Sequence, residues 1–162
     1  MADRFVSDPL EIPRRPDGRD YDHADLEFYG VDHSGLSFEA RVFLNNRDAT
    51  DDTPLELEAG YAGSFHIFGH GGCFGDVGHC DVPTEPPDPF DLRLPHPLFP
   101  ATKSIEVTDV LKTLRDSGAE DVTVTVVAVP YEAAGPLGRD AAAELTIESI
   151  SLVTYETELL PG

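Results

Sequence analysis

Apolar and polar residues alternate along most of this chain, and the alternation reads as strands. The clearest case is Leu36 to Leu44. Leu36, Phe38, Ala40, Val42 and Leu44 fall on one side, and Ser37, Glu39, Arg41 and Phe43 on the other. A period of 2 held over nine residues predicts a strand with one buried face. Leu26 and Phe28 alternate with Glu27 and Tyr29 in an earlier strand, and Val31 to Gly35 forms a turn between the two. A further strand is expected over Tyr61 to Phe68, with Tyr61, Gly63, Phe65 and Ile67 sharing a face. Residues 102–107 make another. Thr108 is placed to cap a short helix with Val110, Leu111 and Leu114 inward, which Gly118 ends. Val122, Val124 and Val126 alternate with threonines up to Pro130. Leu145 and Ile147 are out of phase with Ile150 and Leu152, which predicts a bulge at Glu148–Ser149.

The connections are equally readable. Residues 1–22 are charged and proline-bearing with little apolar periodicity, and read as a flexible N-terminal arm. Asn45 to Ala59 reads as an acidic, solvated loop. Asp81 to Pro100 is dense in proline, which has no N–H for a ladder, so it reads as an extended surface connection. Phe90, Leu92, Leu94 and Leu98 are its expected apolar anchors. The domain plan is an arm over 1–22, a single domain over 23–157 and a tail over 158–162. Many strands with one short helix give a mainly β fold, an antiparallel β-sandwich or flattened, jelly-roll-like barrel.

Charge narrows the partners. Among 162 residues, 31 acidic side chains face 11 basic ones, a formal net charge of -20. Nucleic acid and anionic membrane surfaces would be repelled, so neither is an expected partner. The opening residues contain no apolar h-region, and no apolar run approaches the roughly 18 residues a membrane helix needs. A soluble, by default cytoplasmic, protein is expected.

The order of the elements resembles the C-terminal β-sandwich domain of the type 3 copper proteins: tyrosinases, plant-type polyphenol oxidases and molluscan hemocyanins. The carrying residues are Ser37 to Leu44 (SFEARVFL), Tyr61 to Phe65 (YAGSF) and Ile105 to Leu114 (IEVTDVLKTL). Asp121 to Val129 (DVTVTVVAV) and Leu145 to Leu152 (LTIESISL) complete the set. The resemblance spans roughly residues 24–156 and implies a non-catalytic accessory domain. Such a domain covers, stabilises or helps load copper into a tyrosinase-like catalytic domain or protein. In that family the copper sits on six histidines of a helix bundle. The six histidines here (His23, His33, His66, His70, His79, His96) lie on strands and loops instead.

Reactive side chains concentrate in residues 60–80. His66, His70, His79, Cys73 and Cys80 lie within fifteen positions, among the glycines at 69, 71, 72, 75 and 78. Thiolate with imidazole suits Zn²⁺ or Cu⁺, so His70, Cys73, His79 and Cys80 form a candidate metal quartet. His66 is a weaker fifth candidate, because a strand rising about 3.3 Å per residue would hold it about 13 Å from His70. Copper is the metal suggested by the resemblance, with zinc the alternative. Two other readings stay open. Cys73 and Cys80 could form a disulfide contributing about 2.5 kcal/mol in a purely structural domain, or remain free thiols. A small mononuclear copper or zinc protein with oxidase-type activity is the enzymatic alternative. Glu85, Asp88 and Asp91 read as solvated carboxylates and His96 as a loop residue. No nucleophile–base motif or phosphate-binding glycine loop is present.

Overall fold

In a computed structural model, the described residues are 3–14, 21–70, 81, 84–86, 88–90, 97–131 and 144–156. They form two larger antiparallel sheets packed face to face and a two-stranded sheet, β2-β7. The first has the order β1-β8-β4-β5, and the second β6-β3-β9. The strands are β1 (Asp3–Val6), β2 (Leu10–Glu11), β3 (His23–Val31), β4 (Phe38–Leu44) and β5 (Tyr61–Ile67). After these come β6 (Ala101–Glu106), α1 (Thr108–Asp116), β7 (Asp121–Val122), β8 (Val124–Pro130) and β9 (Ser149–Tyr155). The mainly β sandwich with one short helix is therefore the fold.

Alternation builds the core. Ala24, Leu26 and Phe28 of β3 are fully buried, while His23, Asp25, Glu27 and Tyr29 line the opposite face. Facing them are Phe38, Ala40, Val42, Phe65, Val124 and Val126. Phe28 and Phe65 meet in this core, with ring centroids 4.8 Å apart.

The first sheet is also covered on its outer side. Phe43, Ala49 and Val127 are buried there in a small second cluster with Tyr61. The 45–59 segment is mostly exposed, as expected for a solvated loop, but it folds back to bury Ala49. A bulge explains why Tyr61 is not on the face of Phe65. The β4–β5 register shifts between Val42 and Phe43, so Phe43 pairs with Tyr61. Ala62, not Tyr61, packs on the main core.

The N-terminal segment corrects the expectation of a flexible arm. Residues 3–6 pair with Thr125–Ala128 of β8. The Ser7 N–H donates to the Val124 carbonyl at 2.9 Å, and the Val124 N–H donates in return to the Ser7 hydroxyl at 2.9 Å. Leu10 and Glu11 pair with β7, and Ile12 and Tyr21 are buried. The segment lacks a sustained apolar period because each contact is a single residue: Phe5, Leu10, Ile12, Tyr21. Backbone pairing, which side-chain pattern does not report, supplies the rest.

Thr108 does not cap α1. It is the first helical residue, after Val107, and Val107 offers no side-chain cap. The Thr108 hydroxyl instead accepts the Ala24 N–H at 2.9 Å, fastening the helix to β3. Leu111 is the buried helix residue, with Val110 and Leu114 partly buried. At the C-terminus Gly118 takes a left-handed φ of 95°, and the Ala119 N–H reaches back to the Leu114 carbonyl.

The β3–β9 ladder runs without a shift from His23–Tyr155 to Tyr29–Ser149 and ends where the bulge at Glu148–Ser149 was expected, and a register shift lies instead between β3 and β6. Gly30 has φ 66°, and the β3–β6 register shifts between Phe28 and Val31. A Cβ on Gly30 would lie 2.4 Å from the Glu148 Cβ. The extra residue is thus in β3, where only glycine fits.

Phe90 corrects the expected anchoring of the proline-dense connection: it is 89% exposed. Leu98 is half-buried, and Leu92 and Leu94 lie outside the described residues.

A histidine-rich end of the sandwich and a titratable outer face

At one end of the sandwich the turn at 32–37 meets residues 68–70, 97–100 and 131. Gly69 allows the closest approach. Its N–H donates to the Ser37 hydroxyl at 3.0 Å. A Cβ there would lie 2.2 Å from the Gly35 carbonyl oxygen and 2.4 Å from the Leu36 carbonyl carbon. Beyond Gly69, the His70 N–H donates to the His33 carbonyl at 3.0 Å. The His33 and His70 rings are 5.0 Å apart at 62°. His33 Nε2 lies 2.7 Å from the Phe99 carbonyl oxygen, which ties in the segment leading to β6.

His66 sits apart from that pair. It is exposed on β5, opposite Glu39 of β4. Its Nδ1 contacts the Tyr131 hydroxyl, and the two rings stack at 6.1 Å and 25°. The Tyr131 N–H in turn donates to the Ser37 carbonyl at 3.2 Å. Of the five residues picked from sequence as metal ligands, His66 and His70 are described, and each has a different neighbour. Cys73, His79 and Cys80 lie outside the described residues. Among the described residues, no three or more His, Cys, Asp or Glu side chains are grouped to hold a metal ion. Phe68, Phe99 and Tyr131 stand at this end with exposures of 79%, 59% and 46%. Sequence reasoning passed over His33 because it lies 37 positions from His70, in a turn with no ligand-like spacing. Only the fold joins them.

A second constellation covers the outer face of β6-β3-β9. His23 Nε2 lies 2.9 Å from Asp25, and its Nδ1 lies 3.4 Å from Glu106. Glu27 accepts from the Tyr29 hydroxyl and, at 3.4 Å, from the Tyr155 hydroxyl. Tyr29 is shifted to a pKa above the usual tyrosine value, chiefly because its hydroxyl is hydrogen-bonded to Glu27. Tyr155 is raised as well, first by partial burial and then by the Glu27 and Asp25 charges. The alternation at 23, 25, 27 and 29 is the signal that could have found this row. Of the other carboxylates, Asp88 accepts the Phe90 N–H at 2.9 Å in a local turn. Asp91 and His96 lie outside the described residues. No described helix is long and apolar enough to cross a membrane.

No protein-family model matches the sequence, and no curated protein matches it. Solved structures do resemble it. A latent aurone synthase (polyphenol oxidase) from natural source superposes with TM-score 0.53 at 19% identity, covering 94% of this chain and 24% of its own. A recombinantly expressed latent aurone synthase gives the same values. In a form co-crystallised with hexatungstotellurate(VI) the TM-score is 0.51. At this identity the likeness is one of fold. This chain spans about a quarter of the length of those proteins, and its sandwich is the fold of one part of a polyphenol oxidase chain.

Proposed function

We propose that this chain is a non-catalytic accessory β-sandwich that covers, stabilises or helps load copper into a type 3 copper partner of the tyrosinase kind. The observation carrying this reading is the fold match, which takes in 94% of this chain but 24% of a polyphenol oxidase. In the family this chain resembles, oxygen chemistry belongs to a separate helical part with six histidines. α1 is the one α-helix among the described residues, and it carries no histidine.

The partner face we assign is the end bearing Phe68, Phe99 and Tyr131. Exposed aromatic side chains beside polar ones are the usual make-up of a contact surface. The net charge of -20 favours a less acidic partner.

The His/Cys stretch supplies the copper-loading half of the reading. In the donor set chosen from sequence, His70 fits such a site, with its imidazole at the exposed end of the fold. His66 fits it less well, since Tyr131 engages it. Cys73 and Cys80 would supply the soft thiolates that Cu⁺ prefers and His79 a further imidazole, with zinc the alternative.

The test is reconstitution. A copper-free tyrosinase-like helical partner is loaded with and without this chain. Faster or fuller copper uptake, with co-elution of the two proteins, is expected. Phe68→Ser with Phe99→Ser should weaken co-elution, and Cys73→Ser with Cys80→Ser should slow loading. Phenol oxidation by this chain alone with copper would support the mononuclear-oxidase alternative instead. Unchanged loading and no co-elution would reject the accessory reading.

A further inference from the structure

β9 is the end strand of its sheet, and β3 pairs with it along its whole length on one side. Ala24 shows which way its other backbone groups point. The Ala24 N–H donates to the Thr108 hydroxyl at 2.9 Å and its carbonyl accepts the Val107 N–H at 2.8 Å, so both groups face the β6 side. In a strand the two groups of one residue point the same way, and those of the next residue the opposite way. Asp25, Glu27 and Tyr29 therefore turn theirs toward Val153, Ser151 and Ser149. The N–H and C=O groups of Ile150, Leu152 and Thr154 face away from β3, and no described strand pairs with them. β2 comes near β9, but its own hydrogen bonds go to β7.

A sheet edge of this kind is a template for a further strand unless charge, proline or a covering element blunts it. The sequence of β9, SISLVTY, holds neither a charged residue nor a proline. The other edge strands differ. β1 carries Asp3 and Arg4, and β5 and β6 lie against each other.

Period 2 sets what an added strand would carry. Its inner side would lie beside Ile150 and Leu152, which pack partly on the core, so apolar side chains fit there. Its outer side would run beside Ser151 and Val153, with Glu27 and Asp25 one strand further on, about 10 Å away. Tyrosine hydroxyls bond Glu27 without neutralising it. β3 and β9 contain no lysine or arginine, so basic outer side chains are complementary. A second copy of this chain would bring the same carboxylates and another net charge of -20, which opposes self-pairing.

We propose that the outer edge of β9 is a strand-addition site for a basic partner polypeptide, which docks as an extended segment with apolar side chains alternating with lysine or arginine. Backbone bonds to Ile150, Leu152 and Thr154 hold it, and Glu27 with Asp25 selects its charge. The site is separate from the aromatic end and stands whether or not the accessory-domain reading holds.

The probe is a synthetic peptide of the length of β9 in which valine alternates with lysine, added to the full chain. Amide hydrogen exchange read by NMR should slow about tenfold or more at Ile150, Leu152 and Thr154. A valine–glutamate peptide should leave those amides unchanged. Ser151→Lys, which sets a positive charge beside Glu27, should weaken the lysine peptide by up to about fivefold. Because that substitution could disturb β9, a valine–lysine peptide with every amide N-methylated gives a second reading on the parent chain. It keeps the charges, loses the backbone donors and should slow nothing. No slowing at those three amides, equal slowing by the lysine and glutamate peptides, or slowing by the N-methylated peptide would overturn the proposal. Slowing that rises with protein concentration in the absence of peptide would overturn it too, by giving the edge to a second copy.

Discussion

Replacing Gly69 by alanine tests the packing on which the histidine-rich end depends. The added Cβ would lie 2.2 Å from the Gly35 oxygen, 2.4 Å from the Leu36 carbonyl carbon and 2.6 Å from the Leu36 oxygen. All three are backbone atoms, so no rotamer change relieves the overlap, and the 33–37 turn or the 68–70 segment must move. Overpacking of this sort costs about 1–3 kcal/mol. A loss of about 2 kcal/mol should lower Tm by about 4–8 °C in a domain of this size. Gly35→Ala is the internal control, because a Cβ there meets nothing within 4 Å. It should be neutral, or stabilising by about 0.4–1 kcal/mol through the unfolded chain. Urea unfolding of both variants beside the parent gives the comparison. Equal stability of Gly69→Ala and the parent, or an equal loss in both variants, would show that the two segments are not in contact as described.

Other perturbations address the body. Phe28→Ala should cost about 3–5 kcal/mol, measured by the same urea titration, since Phe28 is fully buried against Phe65. Thr108→Val should cost about 1–3 kcal/mol by orphaning the buried Ala24 N–H, whereas Thr108→Ser should recover most of it. The tyrosines give a pH prediction. Their folded pKa values lie above the ordinary 10.0, so between the unfolded and folded values the unfolded chain binds fewer protons. The contribution of Tyr29 and Tyr155 to stability is therefore full below about pH 10 and is lost as pH rises through their folded values. Ultraviolet titration of phenolate should show two late tyrosines, and Glu27→Gln should bring Tyr29 back toward its ordinary value. Ionisation of every tyrosine together in the parent would count against the Glu27 contacts.

Most of the strands were readable because each buries one face, and burial with period 2 leaves its mark in side-chain type. That holds for Ala24–Leu26–Phe28 and Phe38–Ala40–Val42, whereas β8 is buried on both faces and was readable because threonines alternate with Val122, Val124 and Val126. What the pattern could not show was anything made by backbone. The pairing of residues 3–6 with β8 rests on N–H and C=O groups that every sequence has. The register shift between Phe28 and Val31, set against β6, was not read from the sequence. Thr108 sits where a cap is expected, yet its hydroxyl is used across the sandwich, by Ala24. The site divides in the same way. A cluster close in sequence drew attention to His66 and His70, but His70 is joined to His33 and His66 to Tyr131. Both partners are distant along the chain and carry no spacing signal.

The placement of β1 and β9 sets the order in which this protein can be completed during synthesis. β1 needs residues 125–128 as its neighbour, and β3, the middle of its sheet, needs residues 149–155. The first sheet cannot close on the ribosome until residues 125–128 have emerged, nor the second until residues 149–155 have. Early strands such as β3 must wait with one edge open, so translation speed and chaperone access should govern yield more than final stability does.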